Sequence, residues 1–582
     1  MSASSAGSTD RSGSDRVAVL GGGVAGLSAA HELAERGFAV TVLEARSIPG
    51  GKARSLPVPG SGTGGRHDLP AEHGFRFFPG FYRHLPDTMA RIPLAGGRSV
   101  KDRLTGATRI LLAQAGGRNE MIAGAHLPES LEDLAVLSRF LLDVMTGLGI
   151  PAYEHAILVE RLLTLLTSCD ERRYGQWELE SWWDYVGAEE RSPAFRKFLA
   201  EGLTRTLVAA RAREISARTG GLILAQLVLD LTQAGGRADR VLDAPTNDAW
   251  IDPWVDHLRA AGVDLRLGTP VQGITMRDGR IASVATPAGP VSADHYVAAL
   301  PVEVMRQLAG PPLRRADPAL GRLDRLVTRW MNGVLFYFDA DVPLVHGHVI
   351  YIDSPWALTS ISQRQFWRGV DLAGYGDGRV RGILSIDVSD WETPGPKTGK
   401  VAMRCSREEI REEVWAQLAA HLNDGPEPVL DPDRVVAWFL DPAIEFPNPT
   451  GATNLEPLLI NTTGSWADRP EAPTRIPNLF LASDYVRTHT DLATMEGANE
   501  AARRAVNAIL EATGSRAQRC RVWRLREPAV LAPARWLDRL RWLAFHRPAR
   551  APLRVAADGG LRPAGPLSRA ALAAGRLRRR RG

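Results

Sequence analysis

Cysteine is scarce in this 582-residue chain: Cys169, Cys405 and Cys520 are odd in number, far apart and in no CxxC spacing. That excludes a disulfide framework and a cysteine-based metal centre, and it fits a reducing, cytoplasmic setting. Residues 1–15, MSASSAGSTDRSGSD, lack the apolar core of a signal peptide and read as a disordered leader. No uncharged apolar run reaches the length of a spanning helix, so any membrane contact is expected to be peripheral, at the cytoplasmic face. Missing too are a Ser/His/Asp order, a nucleophile elbow, a paired-carboxylate constellation and the kinase companions VAIK, HRD and DFG. His346 and His348 stand at strand spacing, but no third ligand accompanies them and no metal site is expected.

What the chain does have is a glycine-rich opening. Val17 to Leu20 reads as a short buried strand, followed by the GxGxxG of Gly21, Gly23 and Gly26 and then by helical periodicity. Gly21 permits a sharp turn, Gly23 lets backbone approach a pyrophosphate, and Gly26 lets helix pack closely on strand. Val24 and Ala25 begin that helix, whose free N–H groups and positive dipole end suit phosphates. A second strand pattern, Ala39 to Leu43, runs into Glu44 and Ala45, and Glu44 lies 18 positions past Gly26, close to where a ribose-binding carboxylate belongs. A dinucleotide site is expected, with Glu44 binding ribose hydroxyls and disfavouring a 2′-phosphate. The glycine turn alone does not separate NAD from FAD.

The continuation Pro49-Gly50-Gly51-Lys52-Ala53-Arg54-Ser55 sets paired glycines beside two cations, a combination that offers backbone contact and positive charge to a diphosphate. It resembles the GG[RK]xxS sequence of the flavin-containing amine oxidase and phytoene desaturase superfamily. Glu72-His73-Gly74-Phe75 resembles the stretch that this superfamily brings beside the flavin ring; Gly262 to Ile274 resembles its strand pair, with Val271 on the adenine side; Ala293 to Pro301 looks like its next core strand. Asn478 to Ile509 resembles the closing flavin motif. There the resemblance assigns Asp484 to the ribityl and diphosphate, and Met495-Glu496-Gly497-Ala498 to a helix start facing the pyrimidine edge, where helix N–H groups stabilise negative charge. Ser483 departs from a usual glycine and Ala501-Ala502 from a usual Ser-Gly pair, but all three are small. The likeness runs from residue 16 to about 512 and implies FAD as cofactor. It also implies an α/β fold, a Rossmann-type FAD-binding domain with an inserted α+β substrate-binding lobe.

On that reading the FAD-binding domain is assembled from residues 16–100, 245–301 and 471–513, the lobe from 101–244 and 302–470, and the tail from 514–582. Helical patterns dominate Asp133 to about Asp230, while GVLFYFD, VIYIDSP and GILSIDV read as strands of a sheet flooring a substrate cavity. Trp177, Trp182, Trp183 and Tyr185 read as core, with the lining of an apolar channel as the other reading; Phe75, Phe77, Phe78, Phe81 and Tyr82 suit an apolar ligand and also a core. His73 is expected to hydrogen-bond within its loop, with proton transfer as the other reading. The TMEGA stretch and APTNDAWIDPWVDHLRAAGV look most like phytoene and zeta-carotene desaturases or hydroxysqualene dehydroxylases. That implies an apolar, isoprenoid or carotenoid-like substrate, hydride transfer at flavin N5 in either direction, and a quinone or oxygen as electron acceptor. An amine oxidase releasing peroxide and a non-catalytic, membrane-recruited flavoprotein remain as alternatives, and no catalytic side chain is identified.

The tail is distinct in charge. From Ser515 to Gly582 it holds 18 arginines and no lysine against Glu527, Asp538 and Asp558, so the remainder of a chain of net charge +5 is acidic. Trp536, Leu537, Leu540 and Leu543 fall on one helical face among arginines. Such a helix packs on the body or lies on an anionic membrane. Nucleic-acid binding by the terminal RLRRRRG lacks any recognition module and is secondary.

Overall fold

The computed structural model describes residues 15–122, 130–202, 205, 209–230, 239–448, 451–566 and 568–570. Nearly all of the leader and the terminal arginine run lie outside them. Three distant stretches of chain contribute to one parallel sheet, in the order Asp264–Arg266, Ala39–Leu43, Arg16–Leu20, His295–Ala298 and Leu479–Leu481. Val17 to Leu20 are buried, as a strand covered on both faces requires. The helix Val24–Ala34 follows at once because Gly21 turns at φ 101°, and a Cβ on Gly26 would stand 1.8 Å from the Gly21 carbonyl oxygen. The same helix packs on Met495–Ala512, where Ala501, Ala502 and Ala505 are fully buried and Asn499 Nδ2 donates to Ser28 Oγ at 2.8 Å and Thr88 Oγ1 at 2.9 Å. This is the Rossmann-type architecture that the glycine spacing predicts.

Seven strands make a second, mixed sheet: Val435–Leu440, Asn332–Phe338, Gly382–Val388, Leu358–Ser362, Gly347–Tyr351, Arg109–Gln114 and Gly117–Ile122. Neighbours run antiparallel except Gly347–Tyr351 with Arg109–Gln114. Its pleat sorts the side chains. Leu111, Ala113 and Val349 pack with Val414 and Leu418 of the helix Arg407–Leu422, whereas Ile110, Leu112 and Ile350 face a cavity closed by the helices Leu131–Gly147 and Ala152–Thr167. Trp177, Trp182, Trp183 and Tyr185 are buried in the core of that helical layer.

Segments between residues 515 and 566 dock on the body. Arg36 Nε donates to the Gln518 carbonyl at 2.8 Å, and Cys520 N to Asn507 Oδ1 at 2.7 Å. The helix Ala532–Phe545 lies on Ala152–Thr167, pinned by buried Asp538, which accepts from Cys169 N and Arg172 Nε, each at 3.0 Å. The Arg172 guanidinium also sits 4.5 Å from the Trp542 ring centre.

A buried carboxylate holds the closing helix to the first domain. Glu496 accepts from the backbone N–H groups of Arg83 (2.6 Å), His84 (2.7 Å) and Leu85 (2.9 Å), and lies 2.7 Å from His84 Nδ1. Trp523 N donates to His84 Nε2 at 2.9 Å, so Nδ1 carries the proton that Glu496 accepts. Burial pushes the Glu496 carboxyl up, but His84 and these N–H donors outweigh it and hold the group below its usual 4.5. A depressed folded pKa stabilises at neutral pH and loses that contribution as pH falls through it. Glu496→Gln is expected to cost about 1.5–3 kcal/mol at pH 7. The deficit, read as the shift in urea midpoint, is expected to shrink below the ordinary carboxylate range.

Candidate active site

A cavity of about 610 Å³ opens at the carboxyl ends of the parallel strands. Gly21, Gly23, Val24 and Ala25 form one wall, Glu44, Ala45 and Val271 another, and Gly50, Gly51 and Lys52 a third. Asp484 and Met495 close the far side. Gly26 lies behind the wall, against Gly21. The paired-glycine turn comes within backbone contact of the first: Gly23 and Gly50 form a bridge, and a Cβ on Gly51 would stand 3.0 Å from Gly23 Cα.

The cavity fits a flavin dinucleotide through backbone more than through cations. The helix Val24–Ala34 starts at Gly23 with no side-chain cap and no acid in its first turn, leaving its positive end open to a diphosphate. Glu44 is anchored by Gly22 N (2.6 Å) and Arg46 N (2.8 Å), and keeps lone pairs for ribose hydroxyls. Lys52 and Arg54, expected to supply charge to the diphosphate, are committed elsewhere. Lys52 Nζ lies 3.2 Å from Glu303 Oε1 and donates to the Pro457 carbonyl; Arg54 Nη1 donates to Glu456 (3.0 Å) and Gly51 O (2.7 Å) and lies outside the cavity lining. Each cation is drawn to a carboxylate far away in sequence, beyond the reach of local spacing.

The remaining expected residues divide. Glu496, though at the start of the closing helix, turns its carboxylate to the 83–85 backbone, because those N–H groups would otherwise be unpaired. His73 is buried outside the cavity lining, its Nδ1 2.6 Å from Asp441 and 3.4 Å from Glu456. Burial pushes the Asp441 carboxyl up, but His73 and a hydrogen bond from Asn332 hold it below the usual carboxylate range. Gly74 is needed for space, since a Cβ there would fall 2.5 Å from Asp387 Oδ1. Phe75 lines the second cavity instead of the first.

That second cavity, narrow at about 160 Å³, lies under the helical layer. Phe75, Phe77, Leu141, Leu158, Met331 and Ile350 supply apolar walls. Among its acids, Asp230 accepts from Phe81 N at 2.7 Å and Asp239 is paired with His348. His348 is thus explained by a carboxylate partner, and His346 lies 3.1 Å from Thr108 Oγ1. Asp387 differs: its Oδ1, like that of Asp239, has no hydrogen-bond partner among the described residues, but no histidine pairs with it, and burial pushes its carboxyl up to about 7 despite the nearby Arg76 guanidinium and the Phe75 N–H.

Arg76 and Asp387 are among the lining residues that motif reasoning passes over. Arg76 lines the nucleotide cavity, donates from Nη2 to Lys52 O at 2.7 Å, and keeps a buried Nε without a partner among the described residues. Its charge acts on Asp387, which lines the apolar cavity, so the pair links the two spaces. Their only sequence signal is a lone cation in EHGFRFF and a lone acid in the buried strand GILSIDV. Glu44→Gln is expected to raise the dissociation constant for FAD roughly ten-fold, equivalent to about 1.4 kcal/mol. Fluorescence titration of the apoprotein measures it.

Comparison with known proteins agrees with this geometry. Residues 24–510 match the family described as flavin containing amine oxidoreductase. The chain is 23% identical to the 15-cis-phytoene desaturase of Synechococcus elongatus over 497 residues, covering 83% of this chain and 93% of that protein. It is 24% identical to the carotenoid phi-ring synthase of Streptomyces griseus over 523 residues, 86% and 89% of the two chains. Among solved structures it is similar to the cyclohexylamine oxidase of Brevibacterium oxydans IH-35A, with a TM-score of 0.57 and 14% identity, covering 86% of this chain and 100% of that one. It is likewise similar to putrescine oxidase bound to putrescine, with a TM-score of 0.56 and 16% identity, over 86% and 99%. The chain belongs to the flavin-containing amine oxidoreductase family and is an FAD-dependent oxidoreductase.

Proposed function

We propose that this enzyme oxidises an apolar, isoprenoid-like chain, with Asp387 as the group that takes the proton. The observation that carries the reading is the narrow apolar cavity in which Asp387, a buried carboxyl with an unpartnered Oδ1 among the described residues and no ion pair of its own there, lies beside Arg76 of the nucleotide cavity. Bound FAD supplies a hydride acceptor at N5. The cavity walls hold the chain and exclude water, and Asp387 Oδ1 receives the proton lost from the carbon next to the one that gives up hydride, leaving a carbon–carbon double bond.

The same groups disfavour an amine. An alkylammonium entering an apolar pocket needs a standing anion. Asp230 and Asp239 are already engaged, and burial holds Asp387 largely neutral below about pH 7. The phytoene desaturase relatives support the apolar reading, and the amine oxidase structures share the fold.

Anaerobic mixing with a panel of detergent-dispersed isoprenoids and polyenes, followed by an amine panel, tests the proposal. Bleaching of flavin absorbance by an isoprenoid is expected; bleaching by amines alone overturns it. A base whose pKa is raised to about 7 acts in its ionised form, so the bleaching rate is expected to rise with pH through that value. Asp387→Asn is expected to slow bleaching roughly 100-fold or more and to remove that inflection, with flavin absorbance retained.

A further inference from the structure

The helix Ala532–Phe545 is amphipathic in an inverted sense. Its polar Asp538 faces inward to Arg172, with Ala534 buried beside it. Outward stand Trp536 (64% exposed), Leu540 (44%) and Leu543 (53%), at spacings of four and three that make one stripe, and Phe545 (66%) follows. Half of the large hydrophobic side chains exposed among the described residues lie on this short stretch. A continuous apolar ridge of this kind marks an interface rather than a solvated surface.

Beside the ridge is a cavity of about 810 Å³ between this helix, Ala152–Thr167 and the segment 549–568. Arg161, Arg191, Arg541, Arg550 and Arg554 line it against two acids, both committed: Glu160 to Arg554 at 3.2 Å, Asp538 to Arg172 at 3.0 Å. Arg541 and Arg550 form no ion pair among the described residues. Burial, and crowding by Arg550, Arg172 and Arg547, outweigh the pull of Asp538 and hold the Arg541 guanidinium below its usual range.

We propose that this face docks on a membrane bearing anionic phospholipid, the phosphate headgroups entering the arginine-lined cavity and the apolar ridge entering the interface. Phosphate charge and hydrocarbon side by side are what an amphiphile surface offers and what a nucleic acid does not. Leu158 and Leu162 on another face of Ala152–Thr167 line the apolar cavity, so docking would bring the wall of that cavity toward the bilayer. In this respect the inference deepens the apolar-substrate reading.

Vesicle sedimentation of the full-length FAD-loaded enzyme, without substrate, tests docking separately from turnover. Phosphatidylcholine vesicles with phosphatidylglycerol are expected to pull the enzyme down, and those without it to do so at least about ten-fold less. W536E/L540E and R541Q/R550Q are each expected to weaken binding by about ten-fold or more, with thermal midpoint and activity on detergent-dispersed substrate unchanged. Equal binding to both vesicles, no binding to either, or undiminished binding by both variants overturns the proposal. The last result would assign the attraction to the arginines beyond residue 570. Vesicle binding together with failure of every isoprenoid to bleach the flavin keeps the docking and removes the substrate.

Discussion

Everything in this molecule hangs on a backbone-to-backbone approach between the two ends of its flavin domain. The helix that begins at Val24 meets the helix that begins at Met495 across a seam of small residues, and Ser28 bonds Asn499 over 471 positions of chain. A side chain larger than hydrogen at Gly26, or bulky groups at Ala501 and Ala502, would part the strand, the helices and the cavity they border. The inserted sheet and helical layer are tolerated because they leave this seam untouched. One insertion runs between the strands Ala39–Leu43 and Asp264–Arg266 and the other between His295–Ala298 and Leu479–Leu481, so each returns to the parallel sheet at an edge strand.

The charge arrangement around the cavity follows from the same economy. Glu44, Glu303, Glu456 and Asp484 all line it, and Lys52 and Arg54 are held by two of them. A diphosphate brought into such surroundings gains most from fixed backbone dipoles, which carry no counter-ion of their own and need no rearrangement. Arg76 is the exception, a half-buried cation whose buried Nε has no partner among the described residues, at the boundary of the two cavities.

Local signals in the chain announce local structure. Glycine spacing, the strand before it and the acid after it specify residues 16–44 well, because turn geometry and close packing act over a few positions. The closing motif is equally legible, since its small residues answer the first helix. Partners across the fold are not: Lys52 looks free until Glu303 arrives from 251 positions away, and Glu496 looks aimed at a ligand until residues 83–85 claim it. The hairpin of Arg109–Gln114 with Gly117–Ile122 joins a sheet whose other strands lie more than two hundred residues on, a pairing that no periodicity reports. The tail helix shows its amphipathic pattern in sequence, but which side faces the protein is decided by Arg172 and Asp538.

The pleat of the seven-stranded sheet separates two kinds of work on one backbone. Along the Arg109–Gln114 strand, alternate residues either touch the cavity or brace the Arg407–Leu422 helix. Substitutions at Ile110, Leu112 or Ile350 therefore reshape what can be admitted, while those at Leu111, Ala113 or Val349 act on what keeps the sheet standing. Selectivity can drift along one set of positions while rigidity is guarded by the other, and a chain built this way can change its guest without renegotiating its architecture.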